Sequence, residues 1–294
     1  MTAARRIVLF GGSGQVGSEL RTLTWPEGFA LLSPTRREVD IGDRAAVAAL
    51  LAAGDIAAVI NTAAWTAVDA AEDARDEAHR ANALGPAVLA EETRRHGVPL
   101  IHVSTDYVFD GSKVAPYDED DPTAPLGVYG TTKLAGEEAV RSTNPHHLIV
   151  RTAWVFGRHG TNFVKTMLRL AETRDLVRVV DDQRGSPTAA ADLAAALATL
   201  ATSANLRDRS GTYHFANRGE TTWCGLAREV FRHSAARGGP SAEVEPITTA
   251  DYPTPARRPM NSRLDTAMIE RDFGIVPRPW QAAVDDVVRS LIGA

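Results

Sequence analysis

The run Arg6-Ile-Val-Leu-Phe10, followed directly by Gly11-Gly-Ser-Gly-Gln-Val-Gly17, decides the fold of this chain. A short apolar run of this kind is typical of a strand buried on both faces of a parallel sheet. Glycines between a strand and a helix are the context that a dinucleotide pyrophosphate needs. Gly11 permits a tight turn, Gly14 lets the backbone approach a phosphate, and Gly17 lets the helix pack against the strand. An ordinary glycine-rich turn is the alternative, and the flanking strand disfavours it.

Strand and helix patterns alternate along the first half of the chain. Residues 56–61 (IAAVIN) and 99–105 (PLIHVST) are apolar strands separated by helical patterns. This alternation predicts an α/β fold with a doubly wound parallel sheet of the Rossmann type. After about residue 151 the pattern loosens into Pro-rich stretches, which predicts a smaller C-terminal substrate lobe. We expect residues 1–150 to form the dinucleotide-binding domain, with later elements at about 189–217 returning to it. Residues 151–294 are expected to form mainly the substrate-binding lobe.

The composition narrows the class of protein. The 294 residues carry a net charge of -5, and no apolar run approaches the roughly 18 residues that a membrane span needs. The N-terminal apolar run is too short for a signal peptide, and Cys224 is the only cysteine, so we expect no internal disulfide and no cysteine-based metal site. We therefore expect a cytoplasmic protein that binds neither nucleic acid nor membrane and holds any phosphate-bearing ligand through local groups.

Tyr129 and Lys133 stand four residues apart in a segment of helical pattern, so they share one face of a helix. A phenol has a pKa of about 10 and is a poor acid at neutral pH. A nearby ammonium group stabilises the phenolate and lowers the phenol pKa. Tyr129 can then donate a proton to an oxygen as a hydride arrives on its carbon, and Lys133 can also hold a cofactor ribose. The alternative is a Tyr and a Lys on a helix surface, since the spacing is common by chance.

Thr105 ends the strand at 99–105, at the carboxyl edge where sheets of this type bind ligands. Its hydroxyl can hydrogen-bond a substrate oxygen beside Tyr129. A lone threonine at a strand end is otherwise a cap or a turn residue, and the spacing from Thr105 to Tyr129 favours the functional interpretation. His102 and His214 lie in apolar strands and are expected to be core residues, not ligands.

The end of the second predicted strand bears on the choice of cofactor. NAD-specific sheets usually place a carboxylate there to bind the ribose 2′-hydroxyl. Here the strand at 29–32 is followed by Ser33-Pro-Thr-Arg-Arg37, with no carboxylate directly at its end. Hydroxyls with adjacent arginines suit a 2′-phosphate, so we expect a preference for NADPH, with Ser33 and Arg36 as its contacts. Arginines that only face solvent are the alternative.

A second basic site lies in the Pro-rich segment Pro253-Thr-Pro-Ala-Arg-Arg-Pro259. It presents Arg257 and Arg258 from a stiff loop, and guanidinium groups bind phosphate oxygens in a forked geometry. We predict that these arginines bind the diphosphate of a substrate. A solvated basic loop is the alternative.

Three motifs together resemble the extended short-chain dehydrogenase/reductase superfamily. They are the glycine loop, the strand end Ser104-Thr-Asp-Tyr-Val-Phe-Asp-Gly111 and the helix Tyr129-Gly-Thr-Thr-Lys-Leu-Ala-Gly-Glu137. Within it the chain is similar to the dTDP-4-dehydrorhamnose reductases nearly from end to end. Two later segments are far more specific than the shared cofactor motifs. These are Asp182-Gln-Arg-Gly-Ser-Pro-Thr188 and Tyr252-Pro-Thr-Pro-Ala-Arg-Arg-Pro-Met-Asn-Ser-Arg263.

The resemblance implies NADPH-dependent reduction of the 4-keto group of dTDP-4-dehydro-L-rhamnose, giving dTDP-L-rhamnose, a precursor of surface polysaccharide. Relatives often accept both cofactors, so NADH is a second candidate. Tyr129 would donate the proton, with Lys133 and Thr105 as its partners. The residues implied to contact the sugar are Thr105, Asp106 and Trp154. The residues expected along the cofactor are Gly11, Ser13, Gly14, Gln15, Val16, Gly17, Asp40, Ile41, Ala63, Ala64, Trp65 and Thr66, with Tyr129 and Lys133.

Some of these roles have alternatives. Trp154 also fits a packed core aromatic, and Asp40 also fits a residue at the start of a helix. Some family members share a magnesium ion between two subunits through carboxylates. Glu19 matches one such position, but Ala191 stands near where another is required. We therefore expect no metal, and either a monomer or a homodimer.

Two other functions stay open. Sugar-nucleotide epimerases and dehydratases share this fold, but many such dehydratases carry an Asp-Glu pair after the strand-end Thr. Here Asp106 is followed by Tyr107, which cannot replace a carboxylate as a general acid or base at neutral pH. A regulatory subunit resembling that of methionine adenosyltransferase would bind a partner without catalysis. The intact set of Thr105, Tyr129 and Lys133 favours an enzyme.

Overall fold

A computed structural model of the chain describes residues 4–293. Its centre is a six-stranded sheet in which every neighbouring pair is parallel. The strands, in their order across the sheet, are β2 (Phe29–Leu32), β1 (Arg5–Phe10), β3 (Ile56–Asn61), β4 (Leu100–Thr105), β5 (His147–Thr152) and β10 (Gly211–His214). The strand order reverses at β1, which puts the topological switch point between β1 and β3. The doubly wound parallel fold predicted from the sequence is confirmed.

Helices cover both faces of this sheet. On one face lie α1 (Gln15–Thr22) and α7 (Ala190–Thr202), and on the other lie α2 (Arg44–Ala52), α4 (Gly85–Arg95) and α5 (Val128–Thr143). Alternate residues of β1 enter two apolar clusters, with Ile7 and Leu9 on the α7 side and Val8 and Phe10 on the α2 side. Burial on both faces explains why the strand is apolar without alternation.

The second half of the chain builds an apolar cluster of its own. Its helices are α6 (Phe163–Ala171), α8 (Trp223–Ala235) and α10 (Trp280–Ile292), and its paired strands are β7 (Leu176–Val180) and β12 (Glu243–Ile247). The short strands are β6 (Val155–Phe156), paired with β9 (Thr188–Ala189), and β8 (Arg184–Gly185), paired with β11 (Thr221–Thr222) and β13 (Asn261–Ser262). α9 (Ala267–Phe273) packs back on β10 of the large sheet. None of the helices between residues 4 and 293 has the length and apolar character needed to cross a bilayer.

Gly11 in the turn after β1 and Gly17 in the first turn of α1 both need to be glycine. Gly11 has a φ of +84°, in the left-handed region that favours glycine. A Cβ on Gly17 would lie 2.1 Å from the carbonyl oxygen of Gly11, so α1 approaches the turn only because Gly17 has no side chain. A Cβ on Gly14 would meet only the same oxygen, at 3.4 Å, which is ordinary contact.

This difference predicts that alanine destabilises the protein at Gly17 and has little effect at Gly14. Gly17→Ala forces α1 away from the turn and is expected to cost about 1–3 kcal/mol, the usual penalty for overpacking. Gly14→Ala is the matched control and is expected to change the free energy of unfolding by less than about 0.5 kcal/mol, as for a substitution without a clash. Urea unfolding followed by circular dichroism measures both. Equal destabilisation by the two substitutions would contradict the assigned packing of Gly17.

Candidate active site

A cavity of about 490 Å³ lies at the carboxyl ends of β1, β2 and β3, beside the switch point. Many of the residues expected along the cofactor line it. These are Gly11, Ser13, Gly14, Ser33, Arg36, Asp40, Ile41, Ala63, Ala64 and Trp65. The others lie nearby: Gln15, Val16 and Gly17 form the first turn of α1, and the exposed Thr66 follows Trp65. Tyr129 and Lys133 are on α5, outside this lining.

The cavity fits an anionic dinucleotide. Gly14 precedes α1 without a side-chain cap, and the first turn of α1 has no acidic residue, so its free N–H groups suit a phosphate. The guanidinium group of Arg36 lines the same cavity, is 82% exposed and forms an ion pair of 3.2 Å with Asp40. Arg21 and Arg80 also line the cavity. Sequence reasoning missed both, because they reach the cavity only through the packing of their helices.

The end of β4 and the first turns of α5 bring the three predicted catalytic residues together. Thr105 Oγ1 donates to Asp106 Oδ1 at 3.0 Å and accepts from the Tyr107 N–H at 3.2 Å. Burial raises the pKa of Tyr129 to about 12, while a hydrogen bond with Thr105 acts in the opposite direction. Lys133 Nζ donates to Val103 O at 2.7 Å, and burial lowers the pKa of Lys133 to about 8.

The direction of the Tyr129 shift differs from the sequence-based expectation. We expected Lys133 to lower the pKa of Tyr129, but the net shift is upward, because burial raises this pKa and the charge of Asp106 adds to it. The physical reason is that burial disfavours the charged phenolate more strongly than the hydrogen bond with Thr105 favours it. Asp106 shifts in the same direction as Tyr129, because burial raises its pKa to about 6.

Two side chains that sequence reasoning missed hold α5 in place. The Glu72 carboxylate accepts from the Val128 N–H at 2.9 Å and so caps the helix that carries Tyr129. Asn82 lies in a π-helical turn (Arg80–Leu84) between α3 (Arg75–His79) and α4, and it is fully buried. Its amide accepts from Trp65 N at 2.8 Å and donates to Thr132 Oγ1 at 3.1 Å, which ties the cavity wall to α5. The segment around Asn82 contains many other polar residues, so no local pattern distinguished it.

Trp154 follows β5 with a φ of +49°, a left-handed conformation that bulky residues rarely adopt. Its ring stacks on that of Trp223, with centroids 3.7 Å apart and planes at 11°. The backbone of Gly185 lies against the same indole, because a Cβ there would come within 2.3 Å of Trp154 Cε2. The neighbours of the indole thus hold Trp154 in a backbone conformation that costs of order 1–3 kcal/mol.

Of the two arginines predicted to bind a diphosphate, Arg258 is paired within the chain and Arg257 is exposed. Arg258 binds Asp69 through two hydrogen bonds of 3.0 and 2.7 Å, which joins the Pro-rich loop to the segment after β3. Arg257 is exposed and, within residues 4–293, forms no ion pair.

Burial lowers the pKa of both His102 and His214, and both are fully buried, as expected of core histidines.

The carboxylate of Glu19 is bound by Arg158 at 3.0 and 2.9 Å. Arg158 lies between β6 and α6, so this pair connects α1 to the second half of the chain. Between residues 4 and 293, no three His, Cys, Asp or Glu side chains are grouped so that they could hold a metal ion.

A glycine loop at the switch point of a doubly wound sheet, with Tyr129 and Lys133 on a helix beside Thr105, is the arrangement of a short-chain dehydrogenase/reductase. A family model described as "RmlD substrate binding domain" matches residues 5–292. A dTDP-4-dehydrorhamnose reductase of Sinorhizobium fredii is 44% identical over 98% of both chains. One from Streptomyces griseus is 45% identical over 98% of this chain and 94% of its own.

A solved structure with the same name is also similar to this chain. The crystal structure of a dTDP-4-dehydrorhamnose reductase from Bacillus anthracis, in complex with NADP, superposes with a TM-score of 0.91. It is 33% identical to this protein and covers 98% of this chain and 99% of its own. The chain belongs to the dTDP-4-dehydrorhamnose reductase family.

The indole of Trp154 provides a structural prediction. Gly185→Ala would push a methyl group into the ring, so we expect the stack of Trp154 on Trp223 to separate and the near-ultraviolet circular dichroism of the stacked pair to weaken. Gly14→Ala, whose methyl group meets no ring, is the control and should leave that signal unchanged. An unaltered spectrum in a folded Gly185→Ala protein would contradict the contact.

Proposed function

We propose that this protein reduces the 4-keto group of dTDP-4-dehydro-L-rhamnose with NADPH and releases dTDP-L-rhamnose. The proposal is carried by one observation. Thr105, Tyr129 and Lys133 meet at the end of β4, in a chain that matches dTDP-4-dehydrorhamnose reductases along its whole length. NADPH, when bound, supplies the hydride. The residues that would hold it are the glycine loop, Ser33, Arg36 and the segment from Ala63 to Thr66.

Tyr129 is the proton donor of the proposed reaction. A pKa of about 12 keeps its phenol protonated at neutral pH, so a proton is available to an oxygen that becomes strongly basic during reduction. Lys133 in its ammonium form stabilises the charge left on Tyr129. Thr105 orients the keto oxygen, and to donate to it the hydroxyl must turn away from Asp106 Oδ1.

The substrate contacts follow from the same arrangement. Trp154 offers an aromatic face held against Trp223, and Asp106 offers a buried carboxyl next to Thr105. Arg257 is available for the diphosphate, whereas Arg258 would have to exchange Asp69 for a phosphate. Residues 1–150, with the elements at about 189–217, would hold the cofactor, and residues 151–294 mainly the substrate. The proposed oligomeric state is a monomer or a homodimer.

A dehydratase or epimerase reading has less support at this site. The residue after Asp106 is Tyr107, and burial raises its pKa further above the ordinary phenol value. Tyr107 therefore exchanges no proton readily at neutral pH. The relatives from Sinorhizobium fredii and Streptomyces griseus, which are 44% and 45% identical to this chain, carry the reductase name.

The test of the proposed function is a panel of 4-keto sugar nucleotides incubated with NADPH. We expect oxidation of NADPH with dTDP-4-dehydro-L-rhamnose and a product with the L-rhamno configuration. Consumption with none of the panel would contradict catalysis and favour a protein that acts by binding a partner.

Tyr129→Phe is expected to cut turnover by about 10²–10⁴-fold, the usual contribution of a positioned general acid, with NADPH binding nearly unchanged. Tyr107→Phe is the matched control, because the two rings lie 5.4 Å apart and only Tyr129 is assigned the proton. Steady-state turnover and NADPH titration by fluorescence measure both effects. Near-normal turnover of Tyr129→Phe would mean that the proton comes from another group.

Arg36→Ala is expected to lower kcat/KM for NADPH roughly tenfold and to leave that for NADH unchanged, since one exposed charge-assisted contact to the 2′-phosphate is lost. Arg37→Ala is the control, because the neighbouring guanidinium does not line the cavity. Equal efficiency with both cofactors in the wild type, or an unchanged preference in Arg36→Ala, would rule out this role for Arg36.

A further inference from the structure

A chain of hydrogen bonds fixes the proton of a buried histidine beside Lys133. Asn61 ends β3, and its Oδ1 accepts from the Ala63 N–H at 3.1 Å. The amide nitrogen of Asn61 therefore faces the other way, where it lies 3.0 Å from His102 Nδ1. An amide nitrogen only donates, so Nδ1 must accept. A neutral imidazole that accepts at Nδ1 carries its proton at Nε2.

His102 is neutral in this environment. It is fully buried in the middle of β4, and burial together with Lys133 puts its pKa well below the usual value. Its Nε2 lies 3.4 Å from Lys133 Nζ. The Nε2–H group therefore points at a nitrogen that can accept it only as a neutral amine, since an ammonium group has no lone pair.

We propose that His102 is a positioning residue that, held as the Nε2–H tautomer by Asn61, presents a hydrogen-bond donor to Lys133 and thereby disfavours its ammonium form. The effect on catalysis rests on the proposed function, in which Lys133 acts as an ammonium group beside Tyr129. The ammonium form is present below the pKa of Lys133 and is lost as pH rises through it. His102 therefore sets the alkaline limit of the reaction.

The other charged groups around Lys133 come from the elements packed on it. On α5, Tyr129 lies one turn before it and Glu137 one turn after, and the Glu137 carboxylate raises the pKa of Lys133. From β5, Arg151 binds that carboxylate at 2.9 and 2.7 Å and offsets its charge. Asp106 follows β4 and is largely buried. The buried side chains of the neighbouring helical turns are not titratable or, like Glu92 on α4, are paired elsewhere.

The small number of lysines allows the titration of Lys133 to be measured without any substrate. The sequence contains three lysines, at positions 113, 133 and 165, so lysine labelled with ¹³C at Cε gives three signals. Lys133 is the buried one, whereas Lys113 and Lys165 reach solvent-facing partners. In the wild-type chain we expect Lys133 to titrate near pH 8, in line with its lowered pKa. Histidine labelled with ¹⁵N should show His102 protonated at Nε2 and unchanged between about pH 6 and 9, above the range of a histidine whose pKa is lowered.

His102→Leu removes the donor and keeps the site apolar. We expect the titration midpoint of Lys133 to rise by about one pH unit, a tenfold gain in proton affinity, and the alkaline limb of the NADPH oxidation profile to move with it. His147→Leu is the control, because His147 is also buried but lies at the opposite end of β5 from the site. It should leave the Lys133 midpoint in place.

Each outcome decides the inference. A proton on Nδ1 of His102, or a Lys133 midpoint that stays or falls in His102→Leu, would overturn it, because His102 would then accept from Lys133. If His102→Leu does not fold, the tautomer in the wild-type chain decides alone. Absence of NADPH oxidation by the wild type would instead count against the proposed function and leave the two spectroscopic readouts valid.

Discussion

A Cβ atom on Gly130 would lie 2.1 Å from the carbonyl oxygen of Tyr107, and one on Gly136 would lie 2.1 Å from that of Asn82. The helix α5 therefore rests directly on the backbone of the turn after β4 and of the π-helical turn before α4. No side chain separates them, so the helix has little freedom to slide or rotate. This close approach fixes Tyr129, which precedes Gly130, relative to Thr105.

Buried polar groups also fix the position of α5. Glu137 is fully buried and binds Arg151 on β5 through hydrogen bonds of 2.9 and 2.7 Å. Such a pair adds little net stability, but breaking it leaves an uncompensated charge, which typically costs 3–5 kcal/mol. It therefore penalises any register of α5 other than the observed one. Asn82 does the same on the other side of the helix by joining Trp65 to Thr132.

The strands of the large sheet could be predicted because burial on both faces leaves an unbroken apolar run, as at 56–61, whose bounds the structure reproduces. The glycine loop could be predicted because backbone approach restricts residue type. The groups that hold α5 could not, since Glu72 and Asn82 act across distances that no local pattern encodes. The direction of the Tyr129 shift was missed for a related reason, because burial depends on the whole fold.

The backbone conformation of Trp154 links the placement of its indole to the heat tolerance of the fold. A non-glycine residue with a φ of +49° is strained, whereas a glycine at the same position would adopt this conformation without strain. Selection for a more heat-resistant fold would act to remove that strain, whereas an indole stacked on Trp223 at this position can be supplied only by keeping it. The two demands oppose each other at a single residue, so variants adapted to hot environments must gain their stability elsewhere in the chain.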